Sequence, residues 1–320
     1  MFEALYENSE DWLKYAIQIN LLHAKKEDQI ALLQSALKDA KIQRVLEEAA
    51  AFHSTRISSH KDPTLPIQRL LFLLGLGFDT SIPQIQTAID EILAHKDDNG
   101  VYFSMINVPK QFGGTGEDGF SWCLCDAPNL MIALIKAGVS YEEHIKQGFE
   151  YLVSLYRENG FPCAASPELG RFRGPGKKDD CCPYATLIMT NLLSCLPEYR
   201  DSSIAKASSQ ALLDLWSTSR EQHPYLFHMG TDFRKLKAPS CWYDIVSVAG
   251  VLSKFSFNHS DPRFLEMIDL IKSKQHDDGF FVPESIYMKM KDWDFGQKKT
   301  SSPYLTYLCL QILDRIGQPI

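Results

Sequence analysis

Long apolar runs are missing from this chain. The longest, Leu70 to Phe78, has nine residues and two of them are glycine, whereas a helix needs roughly twenty apolar residues to cross a bilayer. No transmembrane segment is expected. The opening residues, Met-Phe-Glu-Ala-Leu-Tyr-Glu-Asn, lack the basic flank and apolar stretch of a signal peptide, so the cytoplasm is the expected compartment. Cysteine is sparse: eight in 320 residues exclude a disulfide scaffold and leave buried thiols or site residues. Positive charge is not in excess either. With 33 basic against 40 acidic residues, nucleic acid is excluded as the main partner, because phosphate binding wants a basic surface. No low-complexity linker divides the chain, so a single structural domain is expected. The nine histidines form no His-x-x-x-His or His-Glu-x-x-His arrangement, and there is no Gly-x-Ser-x-Gly elbow or phosphate loop. Gly113-Gly114-Thr115-Gly116 lacks the following Lys-Ser/Thr and reads as a flexible loop.

What is present is a repeat of about sixty residues. Turns at Asp98-Asn99-Gly100-Val101, Glu158-Asn159-Gly160-Phe161 and Asp277-Asp278-Gly279-Phe280 place their glycines 60 and then 119 residues apart, with a degenerate copy near Ser219 to Tyr225. A second signal opens a helix in each copy: Asp62-Pro63, Asp126-Ala127-Pro128, Cys182-Pro183-Tyr184, Cys241-Trp242-Tyr243 and Ser302-Pro303-Tyr304. Steps of 65, 55, 59 and 61 separate Pro63, Pro128, Pro183, Trp242 and Pro303. Such self-similarity marks a repeat architecture.

The segments before the glycine turns carry one apolar stripe: Ile82, Ile85, Ile89 and Ile92; Ile145, Phe149, Leu152 and Tyr156; Phe264, Met267, Ile268 and Ile271. That is the pattern of a helix with one face in water. The segments after the Pro/aromatic motif, such as Leu130 to Ile135, Ile245 to Leu252 and Leu305 to Leu313, are apolar on nearly all sides and must be covered all round. Alternation of the two predicts an all-α protein, an (α/α) barrel of about five helix pairs with inner apolar and outer amphipathic helices. Residues 1-60 are expected to form an N-terminal helical extension, with helices over Asp11 to Leu22 and Glu27 to Ala51, and residues 61-320 the barrel. Loops of about 25 residues lead into the inner helices; they hold stretches of Gly, Pro and charged residues, as in Pro109 to Gly119, Pro167 to Lys178 and Pro283 to Lys299, and are long enough to suggest function.

These residues resemble the α/α toroid shared by squalene and oxidosqualene cyclases and the β subunits of protein prenyltransferases. Gln275-x-x-Asp278-Gly279-Phe280 is similar to the repeated Gln-Asp-Gly-Trp element of that superfamily, with Phe for Trp. Gly170-Arg171, a lysine at Lys177 or Lys178, then Asp180-x-Cys182 and Tyr184 resemble the prenyltransferase stretch that supplies an aspartate and a cysteine to zinc. The likeness implies a metal site at Asp180 and Cys182, but Tyr304-Leu305-Thr306-Tyr307 has leucine where the family's third ligand, a histidine, stands. Cys241, at the repeat position of Cys182 one unit later, is the candidate replacement ligand, with Cys125 and His228 as further thiolate or imidazole sources. The cyclase precedent implies an Asp-x-Asp-Asp acid motif, which this chain lacks; Asp97-Asp98, Asp179-Asp180 and Asp277-Asp278 are pairs only.

The candidate catalytic residues are therefore Asp126, Asp180 and Asp244. Arg171 and Arg173, flanking Phe172, are candidates for an oxyanion clamp together with Lys177 and Lys178. Trp122, Tyr184, Trp242 and Tyr304 are candidates for aromatic contacts with an apolar ligand. Candidate metal ligands are Asp180, Cys182 and Cys241, which makes zinc the candidate cofactor. Three readings stay open: a cyclase- or prenyltransferase-like protein that binds an apolar, isoprenoid or anionic-headed ligand; a non-catalytic scaffold with a protein partner; and a zinc-dependent transferase or lyase.

Overall fold

The computed structural model describes residues 1–172, 177, 179–221, 223–224 and 227–318. Tyr225 of the degenerate turn lies outside them. Among the described residues the chain is predominantly helical: α1 (Phe2–Glu7), α2 (Asp11–Asn20), α3 (Ile30–Ala36), α4 (Ala40–Ala50), α5 (Pro66–Gly75), α6 (Pro83–Leu93), α7 (Ala127–Lys136), α8 (Lys146–Ser154), α9 (Pro183–Cys195), α10 (Ser203–Ser217), α11 (Ile245–Leu252), α12 (Pro262–Lys272) and α13 (Pro303–Arg315). The one sheet among them is a hairpin of β1 (Ser104–Ile106) and β2 (Gly119–Ser121), paired antiparallel with Ser104 opposite Ser121. Among the described residues no helix is long and apolar enough to cross a membrane.

Two compact units divide the chain, one of residues 1–46, 72–78 and 229–320, the other of residues 47–71 and 79–228. In the second unit α7 and α9 are buried along nearly their whole length, while α6 and α8 bury single stripes, Ile85, Ala88, Ile89 and Ile92 on α6 and Phe149 and Leu152 on α8. The first unit repeats the contrast, with α11 and α13 largely buried and α12 burying Phe264, Met267, Ile268 and Ile271. Each stripe matches the 3.6-residue period of the sequence.

Three expectations are corrected. The stretch over Glu27 to Ala51 is not one helix, because the Asp39 carboxylate accepts from the N–H groups of Lys41 (2.7 Å) and Ile42 (3.2 Å) and starts α4 afresh. Helix α5 begins at Pro66 rather than Pro63, since Asp62 instead binds the N–H (3.0 Å) and hydroxyl (2.7 Å) of Thr64 in a local turn. The Gly113 to Gly116 segment is closely packed: a Cβ on Gly114 would lie 2.0 Å from the Val108 carbonyl oxygen.

The repeat is visible as hydrogen bonds. Phe161 N–H donates to the Thr186 hydroxyl (3.0 Å) and Cys182 N–H to Phe161 O (2.7 Å). Two copies later, Phe281 N–H donates to the Thr306 hydroxyl (3.0 Å) and Ser302 N–H to Phe281 O (2.9 Å). Each threonine thus satisfies a buried backbone donor that would otherwise be orphaned. Aligning the glycines sets Phe161 against Phe280, but the bonds set it against Phe281. The cause is the turn itself, which bridges Arg157 to Gly160 in the middle copy and Gln275 to Phe281 in the last.

The residues immediately before the largely buried helices α7, α9, α11 and α13 are Asp126, Cys182, Asp244 and Ser302. Cys241 is not among them, contrary to its sequence alignment with Cys182. It lies three residues earlier, its N–H bonded to Pro239 O (2.9 Å).

Candidate functional site

Three of the four helix-start side chains cap their helix. Cys182 Sγ accepts from Ala185 N–H (3.5 Å), Asp244 Oδ1 from Ser247 N–H (2.8 Å) and Ser302 Oγ from Leu305 N–H (3.1 Å). All three residues have the extended backbone that aims an N-cap side chain at the first turn. Asp126 does not. Its backbone (φ -135°, ψ -54°) is drawn out of the extended region by a tight turn in which the N–H groups of Asp126 and Ala127 both donate to Cys123 O (2.9 Å each). Its carboxylate makes no cap.

Asp126 is 1% exposed and neither carboxylate oxygen has a hydrogen-bond partner among the described residues. Burial of a carboxyl group without a partner penalises the charged form. Burial accordingly raises the Asp126 pKa, against the opposing charge of His60 and the Ser104 hydroxyl, which stands near the carboxylate without meeting hydrogen-bond geometry. The Ser104 hydroxyl is itself buried without a hydrogen-bond partner among the described residues. Burial thus favours the protonated form of Asp126.

Cys125 and His60 border it. The Cys125 sulfur lies 3.6 Å from His60 Nδ1 and 3.5 Å from Nε2. Near-equal distances to the two ring nitrogens place the sulfur off the axis of either N–H. Burial works against charge on His60, while attraction to the ionised forms of Cys125 and then Asp126 pushes its pKa up to about 9, an attraction that is lost when both neighbours are protonated. Contact with Cys123 and burial push the Cys125 thiol well above its ordinary value. Both Cys125 and His60 retain partial exposure, so Asp126 lies one layer below the surface. Burial also pushes the Cys182 thiol upward, and Cys125 and Cys163 act on it from nearby. The neighbourhood of the acid is thus rich in protonated sulfur groups, which present a soft, weakly polar surface.

The other sequence candidates are placed as follows. Asp180 is partly exposed and accepts from Lys177 N–H (3.0 Å) in a turn. Arg171 is exposed, its N–H bonded to Gly113 O (2.8 Å); Arg173 and Lys178 lie outside the described residues. Trp122 is buried and donates from Nε1 to Asp97 Oδ2 (2.9 Å), and Tyr184 is buried on α9. Trp242 is partly exposed beside Cys241. Tyr304 is packed among aromatic rings, with centroids 5.7 Å from Trp12, 5.4 Å from Phe72 and 4.9 Å from Phe295. Among the described residues no group of three or more His, Cys, Asp or Glu side chains is arranged to hold a metal ion, and Asp180, Cys182 and Cys241 do not form one.

Asp244 is the nearest counterpart of Asp126. It is 5% exposed, and burial pushes its pKa up to about 6 in spite of the Ser247 cap. Two further residues are not legible from local motifs. Asp294 accepts from the Ser302 hydroxyl (2.6 Å) and Tyr304 N–H (2.9 Å), and so holds the start of α13. His60 belongs to no histidine motif, although its distance from Cys125 is 65 residues, the same step that separates Pro63 from Pro128. Residues one repeat apart are neighbours, and that period is the signal that finds it.

No family model matches the chain, and no curated protein matches it. Solved structures of a type II terpene cyclase from Scytonema are similar to it at low scores. A variant in complex with geranylgeranyl dihydroxybenzoate aligns with a TM-score of 0.43 and 12% identity, over 96% of this chain and 87% of that one. A second variant with the same ligand gives 0.41 and 11% over 96% and 86%, and an apo variant 0.41 and 10% over 96% and 85%. Scores of this size leave fold and chemistry to be argued from the chain itself.

Proposed function

We propose that this protein is terpenoid cyclase-like, that it binds an apolar, isoprenoid ligand, and that Asp126 is its proton donor. The observation that carries this reading is a buried carboxyl group at an inner-helix start that neither caps its helix nor has a hydrogen-bond partner among the described residues, while its counterparts cap theirs. A carboxylic acid kept neutral by burial can transfer its proton to an electron-rich carbon–carbon double bond. The O–H bond breaks as a C–H bond forms on the less substituted alkene carbon, the carbocation on the other carbon is captured by a second double bond of the chain to close a ring, and the final cation loses a proton to a base, so that product and substrate are isomers. The carboxylate left behind is stabilised by the His60 imidazolium and the Ser104 hydroxyl, the two neighbours that oppose burial in setting its pKa. Water would quench the cation, so the step requires that solvent be excluded from the acid. The alternation of buried and one-faced helices supports the finer architecture proposed with it, a toroid of five helix pairs.

The test is incubation with linear polyprenyl alcohols and diphosphates, reading isomeric cyclic products by mass spectrometry, alongside thermal shift. A ligand at a hundred times its dissociation constant adds about 2.7 kcal/mol of stability. The reading requires binding and product formation that is lost in Asp126→Asn with binding retained. No thermal shift across the series, or equal turnover by Asp126→Asn, overturns it.

A further inference from the structure

Residues 52–60, between α4 and α5, form a strap fastened at several points. Ile57 N–H donates to Met105 O of β1 (2.8 Å), Arg56 pairs with Asp118 beside β2 (3.2 Å), and His53 N–H donates to the Glu91 carboxylate of α6 (3.1 Å). The far end of the same strap carries His60, against Cys125. At the near end the His53 ring stands edge-on to His95, with centroids 4.3 Å apart, and edge-on to Phe120 of β2 at 4.9 Å. His95 stacks on the same Phe120 at 4.1 Å. His53 Nε2 is buried without a hydrogen-bond partner among the described residues.

We propose that His53 and His95 are positioning residues that form a proton-sensitive latch. With His53 neutral the pair holds the strap between α6 and the hairpin, and so keeps His60 against Cys125 and Asp126; protonation of His53 releases the strap.

The geometry allows one added charge at most. Two imidazolium rings 4.3 Å apart repel strongly, and a charged His53 Nε2 would have no acceptor among the described residues. Glu91, 3.9 Å from His53 Nδ1, is the carboxylate that faces the pair, and it already serves the His53 backbone. Of the other ionisable groups on the strap, Arg56 pairs with Asp118 beside β2 and His60 faces Cys125 and Asp126 at the far end. Burial and His95 lower the His53 pKa, with Glu91 opposing. The folded latch therefore prefers neutral His53, holds above the ordinary imidazole pKa of about 6.5 and weakens as pH falls below it.

The consequence for His60 rests on the acid assignment of Asp126, but the latch is tested without turnover. Hydrogen exchange on the full chain, corrected for the intrinsic pH dependence of exchange, reads the Ile57 amide, whose bond to Met105 closes only when the strap is docked. Peptides covering residues 52–60 are expected to lose protection by about tenfold or more between pH 7.5 and pH 5, with α9 peptides unchanged. His53→Gln, which removes the titrating ring, and His95→Phe, which removes the neighbour that opposes its charge, should reduce that loss to under about threefold. Equal protection at both pH values in the unsubstituted protein, or the same loss in both variants, overturns the latch. Failure of the acid assignment would leave the exchange result standing.

Discussion

Asp126 and Asp244 occupy the same place in two copies of one repeat, and the difference between them separates folding from chemistry. Both are buried at the start of a largely buried apolar helix. Asp244 commits one oxygen to the Ser247 N–H and keeps the extended backbone of a helix cap. Asp126 sits on a turned backbone, caps nothing, and has a histidine and a thiol beside it. A buried group with unused hydrogen-bonding capacity is a cost to stability that persists where function requires it.

The comparison can be broken in several ways. Asp126→Asn is expected to lower turnover of a polyprenyl substrate by roughly 10²–10⁴-fold, in the range of a lost general acid, while Asp244→Asn stays within a few-fold; product analysis under matched conditions decides. If Asp244→Asn is the inactive one, the assignment is reversed.

Stability against pH gives the next largest effect. The folded pKa of Asp244, about 6, lies above the ordinary carboxyl value of 3.8, so the folded state binds the extra proton. Stability from this group is fully present below pH 3.8, declines as pH rises toward 6 and is flat beyond. A shift of that size is worth about 3 kcal/mol. Asparagine keeps the cap without titrating, so urea unfolding of Asp244→Asn should lack this decline, and an unchanged profile would show that Asp244 is not its source.

The repeat bonds predict matched costs. Thr186→Val and Thr306→Val each orphan a buried N–H, of Phe161 and Phe281, and should each destabilise by about 1–3 kcal/mol in denaturant melts. A large difference between them would break the equivalence of the copies. The smallest effect is expected at the site itself: Asp126→Asn should change stability by less than about 1 kcal/mol or raise it, because no hydrogen bond is lost. A cost above about 2 kcal/mol would mean that the carboxylate holds a structural bond after all.

Helix character is legible because burial follows period: the stripe Phe264, Met267, Ile268, Ile271 on α12 reads directly from the sequence. Boundaries are less legible, since short polar side chains such as Asp39 and Asp62 decide them by local hydrogen bonds that compete with the helix. Asp126 can be named from its motif, but nothing in the letters separates it from Asp244; the distinction arises from a backbone turn at Cys123. His60 requires the repeat to be used as a map of spatial neighbours rather than as a motif count. Ser104 comes from a hairpin inside what reads as an irregular loop, and Phe120 of the same hairpin packs against both His53 and His95.

Carbon-13 NMR of aspartate carboxyl groups, titrated in the unsubstituted protein and in Asp126→Asn, tests the acid assignment most directly. One aspartate carboxyl, absent from the spectrum of the variant, should keep its proton above the ordinary carboxylate range and be distinct from the one lost in Asp244→Asn. An Asp126 carboxyl that ionises at the ordinary value of about 3.9 would contradict it.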